Sequence, residues 1–226
     1  MKRTIVLLTF NEIEALPKIF DKIPRACADA LIAVDGGSKD GTREWLEGRG
    51  VKVITQSRRG RGVAFREAVE KHASDSYVFF SPDGNEDPDD IPKLFAALDE
   101  GHDMVIASRM MKGAFNEEDI HWFRPRKWVN NAFTLIANLL WNRGPYVTDT
   151  INGFRAVRRD AFLSLECDAD GFVIEYQMSI RAMKKGLKIK ELPTYEGQRL
   201  GGVSTAESLP TGLVFIKQLG REIARR

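Results

Sequence analysis

Five short apolar runs alternate with amphipathic segments over the first half of the chain, and this order restricts the fold more than any single motif. TIVLLT (4–9), ALIAVD (30–35), VKVIT (51–55), YVFFS (77–81) and DMVIAS (103–108) read as strands. Between them, residues 16–26, 41–47, 62–73 and 91–100 carry apolar side chains at three- and four-residue spacing, the pattern of helices. The strands are hydrophobic without alternation, so both faces of their sheet are covered. The order predicts an α/β fold: one domain with a mainly parallel, Rossmann-like central sheet flanked by helices. Ligands of such sheets sit at the carboxyl ends of the strands. The polar clusters fall there: Asn11-Glu12, Asp35-Gly36-Gly37-Ser38, Asp83-Gly84-Asn85 and Ser108-Arg109 each follow a strand.

Composition narrows the partners. At 226 residues with 43% hydrophobic content, the chain has enough apolar material for one core. A net charge of +2 is too small to imply nucleic-acid binding, although the carboxyl end, GREIARR, is locally basic. Cys27 and Cys167 have no companions at metal-ligand spacing and read as reduced packing residues. The amino-terminal MKRTIVLLT has an apolar run too short for a signal peptide and suits a buried strand. No stretch reaches the roughly 18 uninterrupted apolar residues of a membrane span. A cytoplasmic protein is expected, with surface attachment to a membrane left open.

Three loops carry the chemistry, each with a structural alternative. FFSPDGNEDPDD (79–90) ends a buried strand on a crowd of carboxylates, so it either holds a cation or makes a solvated turn. VDGGSKDGT is either part of a site or a Gly-rich turn in which Ser38 or Asp40 caps the next helix. A dinucleotide fingerprint is disfavoured, because no G-x-G-x-x-G follows the first strand. QSRRGRGVAF places Arg58, Arg59 and Arg61 with Gly60 and Gly62 just before a helix. Guanidinium groups and backbone N–H groups at a helix start suit phosphate oxygens, and an exposed basic loop is the alternative.

The ordered set LLTFNE, VDGGSKDGT, GRGVAFREA, SPDGNEDPDDIPKL, VIASRMMKG, DTINGFRAVRRDAF, GFVIEYQMSIRAMKKG and IKELP resembles the family-2 glycosyltransferases of the GT-A fold. Within that family the set looks most like the dolichol-phosphate mannosyltransferase and polyprenyl-phosphate glycosyltransferase group, over residues 4–205. The resemblance implies inverting transfer of a sugar from a nucleoside-diphosphate sugar, GDP-mannose or a UDP-sugar, to a polyprenyl or dolichyl phosphate. It implies Mg²⁺ or Mn²⁺ as cofactor and the cytoplasmic membrane face as location. Thr9, Phe10 and Glu12 match the motif that contacts base and ribose, and Asp35 matches the first Asp of the usual Asp-Asp-Gly-Ser, whose second is Gly36 here. Arg61 and Gly62 match the donor-side basic stretch. In the D-x-D-x-Q metal loop the matches are Ser81, Asp83 and Asn85, so one of two carboxylates survives. Mg²⁺ needs only one or two carboxylates beside substrate phosphates, so Asp83 and Asn85 suffice. Asp89 and Asp90 are expected in the first turn of the following helix, at its positive dipole end.

A hydroxyl acceptor needs a base. A phosphomonoester carries nucleophilic charge at neutral pH and needs cations instead. Arg109, Arg124, Arg155 and Arg199 are the candidates for the acceptor phosphate, with Arg126, Lys127, Arg158 and Arg159 nearby in sequence. Asp83, Arg109, Asp149, Arg155 and Glu175 form the candidate catalytic set. Asp149 and Glu175 match acidic positions near the acceptor site, and either orient arginines or serve as base for a saccharide hydroxyl. His72, His102 and His121 lie outside the motifs.

WVNNAFTLIANLLW (128–141) is apolar nearly all round and flanked by tryptophans and cations, which suits either a buried helix or one lying in a membrane interface. Residues 209–226 form a second amphipathic helix, for a membrane, a dimer contact or a packed tail. The expected organisation is a domain over 1–208, with 4–109 binding the nucleotide sugar and 110–208 building the acceptor side, followed by the helix at 209–226. Expected partners are the donor, a lipid phosphate and a membrane surface met peripherally, with a homodimer or membrane subunit open. A non-catalytic nucleotide-sugar-binding protein is the reading from another class.

Overall fold

The computed structural model describes residues 1–120, 122, 124–201 and 208–225, with the side chains at 120, 125, 126 and 208–211 outside the description. His121, the side chain of Arg126, and the end of the resemblance at Thr205 therefore lie outside the described residues. Seven strands form one sheet: β1 (Arg3–Thr9), β2 (Ala30–Asp35), β3 (Lys52–Thr55), β4 (Ser76–Phe80), β5 (Met104–Ser108), β6 (Arg155–Arg158) and β7 (Ile189–Pro193). The helices are α1 (Leu16–Ile19), α2 (Thr42–Glu47), α3 (Arg61–Lys71), α4 (Ile91–Asp99), α5 (Pro125–Trp141), α6 (Arg159–Ser164), α7 (Ile174–Lys184) and α8 (Ser208–Ala224).

Strand order is β3-β2-β1-β4-β6-β5-β7. All pairings are parallel except those of β6, which runs antiparallel between β4 and β5. The first five strands lie where their apolar runs predict, within one residue at each end. Along β1, Val6 and Leu8 enter one core with α3 and α7, while Ile5 and Leu7 enter the other with α1 and α4. Both faces are covered, which is why the run shows no alternation.

Two departures have local causes. The helix expected over 16–26 stops at Ile19 and continues as two 3₁₀ turns, Phe20–Lys22 and Arg25–Cys27. Pro24 has no N–H and disfavours the helical region for Ile23, whose ψ is 122°. Strand β6 is RAVR, too short and too charged to read as a buried strand. Helix α8 packs on the domain, one of the placements its sequence left open: Phe215 packs against Phe133 and Tyr176, and Glu222 pairs with Arg181 and Lys184 of α7.

Candidate functional site

At the carboxyl ends of β1, β2 and β4 lies a cavity of about 390 Å³. Its walls come from separate loops: Thr9, Phe10 and Glu12 after β1, Gly36 after β2, Gln56, Arg59 and Arg61 around the start of α3, Ser81 after β4, and Arg199 from the segment after β7.

The first two loops are knitted together. Asn11, in the left-handed region at φ 57°, accepts from Lys39 N–H through its side chain (2.9 Å) and donates its own N–H to Ser38 Oγ (2.9 Å). Glu12 N–H donates to Thr42 Oγ1 (2.8 Å) and Ile13 N–H to Asp40 (3.0 Å). Asp40 also accepts from Thr42 N–H (3.0 Å), so it braces the turn ahead of α2 as the turn reading of VDGGSKDGT expects, while the N-cap position itself is Gly41 and carries no side-chain cap bond. Asp35 is spent in the same way: it accepts from Gly37 N–H and Ser38 N–H (both 2.9 Å), from Ser38 Oγ and from Thr9 Oγ1 (3.3 Å).

Glu12 is different. It is buried, and its Oε2 has no hydrogen-bond partner. Burial first, then the neighbouring Asp83, pushes its carboxyl up to about 7.

The acidic loop after β4 divides into two parts. Asp87 accepts from Asp89 N–H (3.0 Å), and Pro88–Asp90 forms a 3₁₀ turn leading into α4. Asp89 and Asp90 thus fall just before the helix, where Asp90 also accepts from Thr194 Oγ1 (2.7 Å). Ahead of them, Gly84 at φ 88° turns the chain. Asp83 and Glu86 are buried, and Ser81 N–H donates to Glu86 Oε2 (2.8 Å). Burial and then Asp83 push the Glu86 carboxyl up to about 8. Arg199 donates to Asp83 Oδ2 from Nε (2.8 Å) and from Nη2, and its Nη2 lies 3.9 Å from Glu12. Asn85 Oδ1 is buried with no partner.

Arg61 reaches across the cavity floor. Its Nε pairs with Glu175 and its Nη1 donates to Ser81 Oγ (3.1 Å). A side chain at Gly153 would collide with that guanidinium and with Glu175, so the motif glycine makes room for the pair. The expected helix-start cradle for phosphate is not available at Gly62: Gly62 N–H and Val63 N–H both donate to Asp170 O (2.8 and 3.4 Å). A Cβ at Gly62 would collide with Ala169 O, so this glycine serves the close approach of that loop. The cations facing the cavity are therefore side chains, Arg59, Arg61 and Arg199.

The remaining predicted residues lie elsewhere. Arg109 pairs with Asp149 (Nε to Oδ2, 2.8 Å; Nη2 to Oδ1, 3.1 Å) and with Glu196 (3.2 Å). Against burial, these partners hold its guanidinium above its ordinary value, and Arg109 in turn holds the buried Asp149 carboxyl below its own. This cluster does not line the cavity, but Glu196 bridges to Glu86 and so ties it to the Asp83 loop. Arg155 is fully buried; Nε donates to Asn152 O (2.8 Å) and Nη1 to Glu175 O (3.0 Å) and Ser179 Oγ (3.3 Å). Burial pulls it down to about 10, still charged at neutral pH, and it fastens β6 to α7 without reaching the cavity. Arg124 bonds to Asp119 (2.9 Å) ahead of α5. Motif reading placed Arg59 in the basic stretch suited to phosphate and gave no weight to Gln56, Glu86 or Glu196. For Arg59 the signal was present in its run of three arginines, but its partner Phe10 is brought to it only by the fold.

An α/β sheet with convergent loops, unpaired acceptors and guanidinium groups at its strand ends defines a binding protein or enzyme for a polyanionic ligand. The sequence model of Glycosyl transferase family 2 matches residues 4–165, and the chain belongs to that family. It is 35% identical over 205 residues to Glycosyltransferase AglJ of Haloferax volcanii, covering 89% of this chain and 65% of that protein. It is 30% identical to the Undecaprenyl-phosphate mannosyltransferase of Micrococcus luteus, over 89% of this chain and 86% of that protein. Among solved structures, glucosyl-3-phosphoglycerate synthase from Mycobacterium tuberculosis in complex with UDP superposes with a TM-score of 0.74. Identity there is 24%, with 98% of this chain and 79% of that chain covered, a likeness of fold. Among the described residues no helix is long and apolar enough to cross a membrane.

Proposed function

We propose that the protein transfers a sugar, with inversion, from a nucleoside-diphosphate sugar to a polyprenyl phosphate. The observation that carries this reading is the cavity at the strand ends, lined by Arg59, Arg61 and Arg199 together with Glu12, whose Oε2 is an unpaired acceptor. Support for the acceptor comes from relatives named as undecaprenyl-phosphate and dolichol-phosphate mannosyltransferases. Support for a nucleotide donor comes from the UDP-bound structure of the same fold.

The leaving group is a nucleoside diphosphate, so negative charge grows on the β-phosphate oxygen that was bonded to the sugar as the glycosidic bond breaks. Arg61 is held to the cavity floor by Glu175 and Ser81, and it meets that charge without reorganising. Glu12 Oε2 is placed to accept from a sugar hydroxyl of the nucleotide. Asp83 and Asn85 Oδ1 fit a divalent cation shared with the donor phosphates, since Mg²⁺ and Mn²⁺ take oxygen ligands and the Asn85 oxygen is an orphaned acceptor. When bound, such a cation stabilises the departing diphosphate. Among the described residues no cluster of three or more acidic, His or Cys side chains is set to hold one without the donor. Arg199 occupies Asp83 Oδ2, so it must swing away for that carboxylate to take a cation, which frees it for a phosphate.

A phosphate nucleophile rather than a hydroxyl is favoured by Asp149. A carboxylate tied to a guanidinium by two bonds and held below its usual value is a poor general base.

The lipid reading draws on α5 and α8. Leu135, Leu139 and Leu140 on α5, and Leu213, Ile216 and Ile223 on α8, are exposed, Leu139 and Leu213 by 75% and 70%. The inner faces of the two helices meet at Phe133 and Phe215, and exposed Lys217 and Arg221 lie beside the outer apolar residues. Apolar side chains with a cationic margin suit peripheral attachment to an anionic bilayer. The test is transfer of radiolabel from a panel of nucleotide sugars into organic solvent, using liposomes that carry polyprenyl phosphate. Label appearing only in free sugar or in a water-soluble saccharide overturns the acceptor assignment. Paired Leu139→Asp and Leu213→Asp substitutions are expected to abolish liposome co-sedimentation, and unchanged pelleting removes the membrane face from the proposal.

A further inference from the structure

Resting on the nucleotide-sugar reading above, we infer that Gln177 of α7 and Glu222 of α8 are positioning residues for the cavity. They fix the segment 168–172 that walls it and, through that segment, the arginines at the start of α3.

Residues 167–171, between α6 and α7, belong to no helix or strand, so no ladder sets their place. The segment nevertheless reaches the site, because Gly171 and Phe172 line the cavity together with Arg59, Gly60 and Arg61. Its near side is tied to α3. Asp170 O accepts from Gly62 N–H (2.8 Å) and Val63 N–H (3.4 Å), and the Asp170 carboxylate accepts from Arg58 (2.7 Å) and from Arg66. The approach is so close that a Cβ at Gly60 would lie 2.3 Å from Asp170 O. A shift of the segment therefore displaces the start of α3, with Arg59 and Arg61 on it.

The far side is held by side chains of α7 and α8. Gln177 Oε1 accepts from Asp168 N–H (3.0 Å) and Ala169 N–H (2.9 Å), and its Nε2 donates to Asp168 Oδ1 (2.7 Å) and Glu222 Oε1 (3.4 Å). Glu222 Oε1 also accepts from Arg181 Nε (2.8 Å) and Gln218 Nε2 (3.0 Å), and Arg181 Nη2 returns to Asp168 Oδ1 (2.9 Å). Gln177, Arg181 and Glu222 are buried, and a buried ion pair holds its geometry because parting it leaves an uncompensated charge. None of the three lines the cavity, so what they supply to it is position. Guanidinium groups that meet a developing charge act by being in place beforehand.

The test joins amide hydrogen exchange, read by nuclear magnetic resonance, to calorimetric titration of the full chain with UDP and with GDP in Mg²⁺. Glu222→Gln keeps the shape of the side chain and removes the charge that Arg181 meets, and Gln177→Leu removes the acceptor for the two segment amides. Each is expected to speed exchange of Gly62 and Val63 N–H at least about tenfold, and to weaken the better-bound nucleotide by about tenfold. Leu98→Ala, a truncation in the core on the other face of the sheet, is the control: the urea midpoint falls, while both other readouts stay within about twofold. Where Glu222→Gln does not fold by circular dichroism, Arg221→Ala replaces it. That guanidinium holds Asp168 Oδ2 (2.7 Å) from the surface of α8, and its loss is expected to speed exchange about threefold. Unchanged nucleotide affinity in the folded variants overturns the inference, because the network is then a brace alone. A loss in Leu98→Ala equal to theirs also overturns it, because general loosening then accounts for both. Should neither nucleotide bind the folded wild-type protein, the nucleotide-sugar reading falls, and exchange at Gly62 and Val63 still decides whether α8 sets the start of α3.

Discussion

Two arginine–carboxylate clusters lie side by side at the carboxyl edge of the sheet, and they differ in how completely they satisfy themselves. Around Arg109, Asp149 accepts from that guanidinium twice and from the N–H groups of Ile151 and Asn152 (3.3 and 3.0 Å), while Glu196 takes the remaining Arg109 donor. Around Arg61 and Arg199, three buried acceptors have no partner: Glu12 Oε2, Asn85 Oδ1 and Glu175 Oε2. A buried polar atom without a partner costs about 1–3 kcal/mol. Unpaired buried atoms also occur away from the cavity, at Thr4, His72, Ser76 and Arg159, but here they gather beside the guanidinium groups that face it, where a ligand supplies the missing bond. The cluster that looked equally catalytic in sequence is thus a clamp between β5 and the loop before β6, and the incomplete one borders the cavity.

The contrast can be broken by substitutions on either side. Asp83→Ala is expected to lower sugar transfer by about 10³-fold with the fold retained, since it removes the one carboxylate placed to share a cation with the donor. Turnover near wild type in that variant would discard the assignment. Asp149→Ala leaves Arg109 without its main partner, so urea denaturation should show a loss of about 3 kcal/mol or more. Glu12→Gln should show no such loss, because its carboxylate has no strong partner to forfeit. Equal destabilisation by the two would erase the distinction between clamp and site.

Smaller effects sharpen it. Arg199→Ala removes the cation already seated on Asp83, so Mn²⁺ should bind about tenfold tighter in electron paramagnetic resonance titration, corresponding to ~1.4 kcal/mol of relieved competition. Unchanged affinity means the ion pair does not guard the carboxylate. The pH dependence is gentler still. Glu12 and Glu86 have folded values raised to about 7 and about 8, above the ordinary 4.5. Between pH 4.5 and 8 the folded state keeps protons that the unfolded chain has released, so stability falls as pH rises through that window. The urea midpoint should therefore drop from pH 5 to pH 8, and Glu86→Gln should flatten the slope.

Much of this was legible in the residues. Periodicity located β1 to β5 because a strand buried on both faces writes its burial into every letter. The ordered motifs identified the family because their spacing survives where single residues change, as at Gly36 and Ser81. Motif reading failed where a residue's role depends on what is folded against it. Arg155 sits in a basic motif that suggests phosphate, yet it is buried against backbone carbonyls. Gly62 opens a helix in the manner of a phosphate loop, yet the Asp170 carbonyl already holds its N–H.

The sequence by itself determined the α/β class, the parallel core, the family and the set of loops that meet at the strand ends. Those properties follow from hydrophobic pattern and chain order, which are local and one-dimensional. The tertiary structure alone decided which charges are spent and which are available. The antiparallel β6 slipped between β4 and β5, the Arg199 guanidinium laid on Asp83, and the stacking of Arg59 on Phe10 all join residues distant in the chain. A charge's function depends on its partner and its burial, and neither is fixed until the chain has closed on itself.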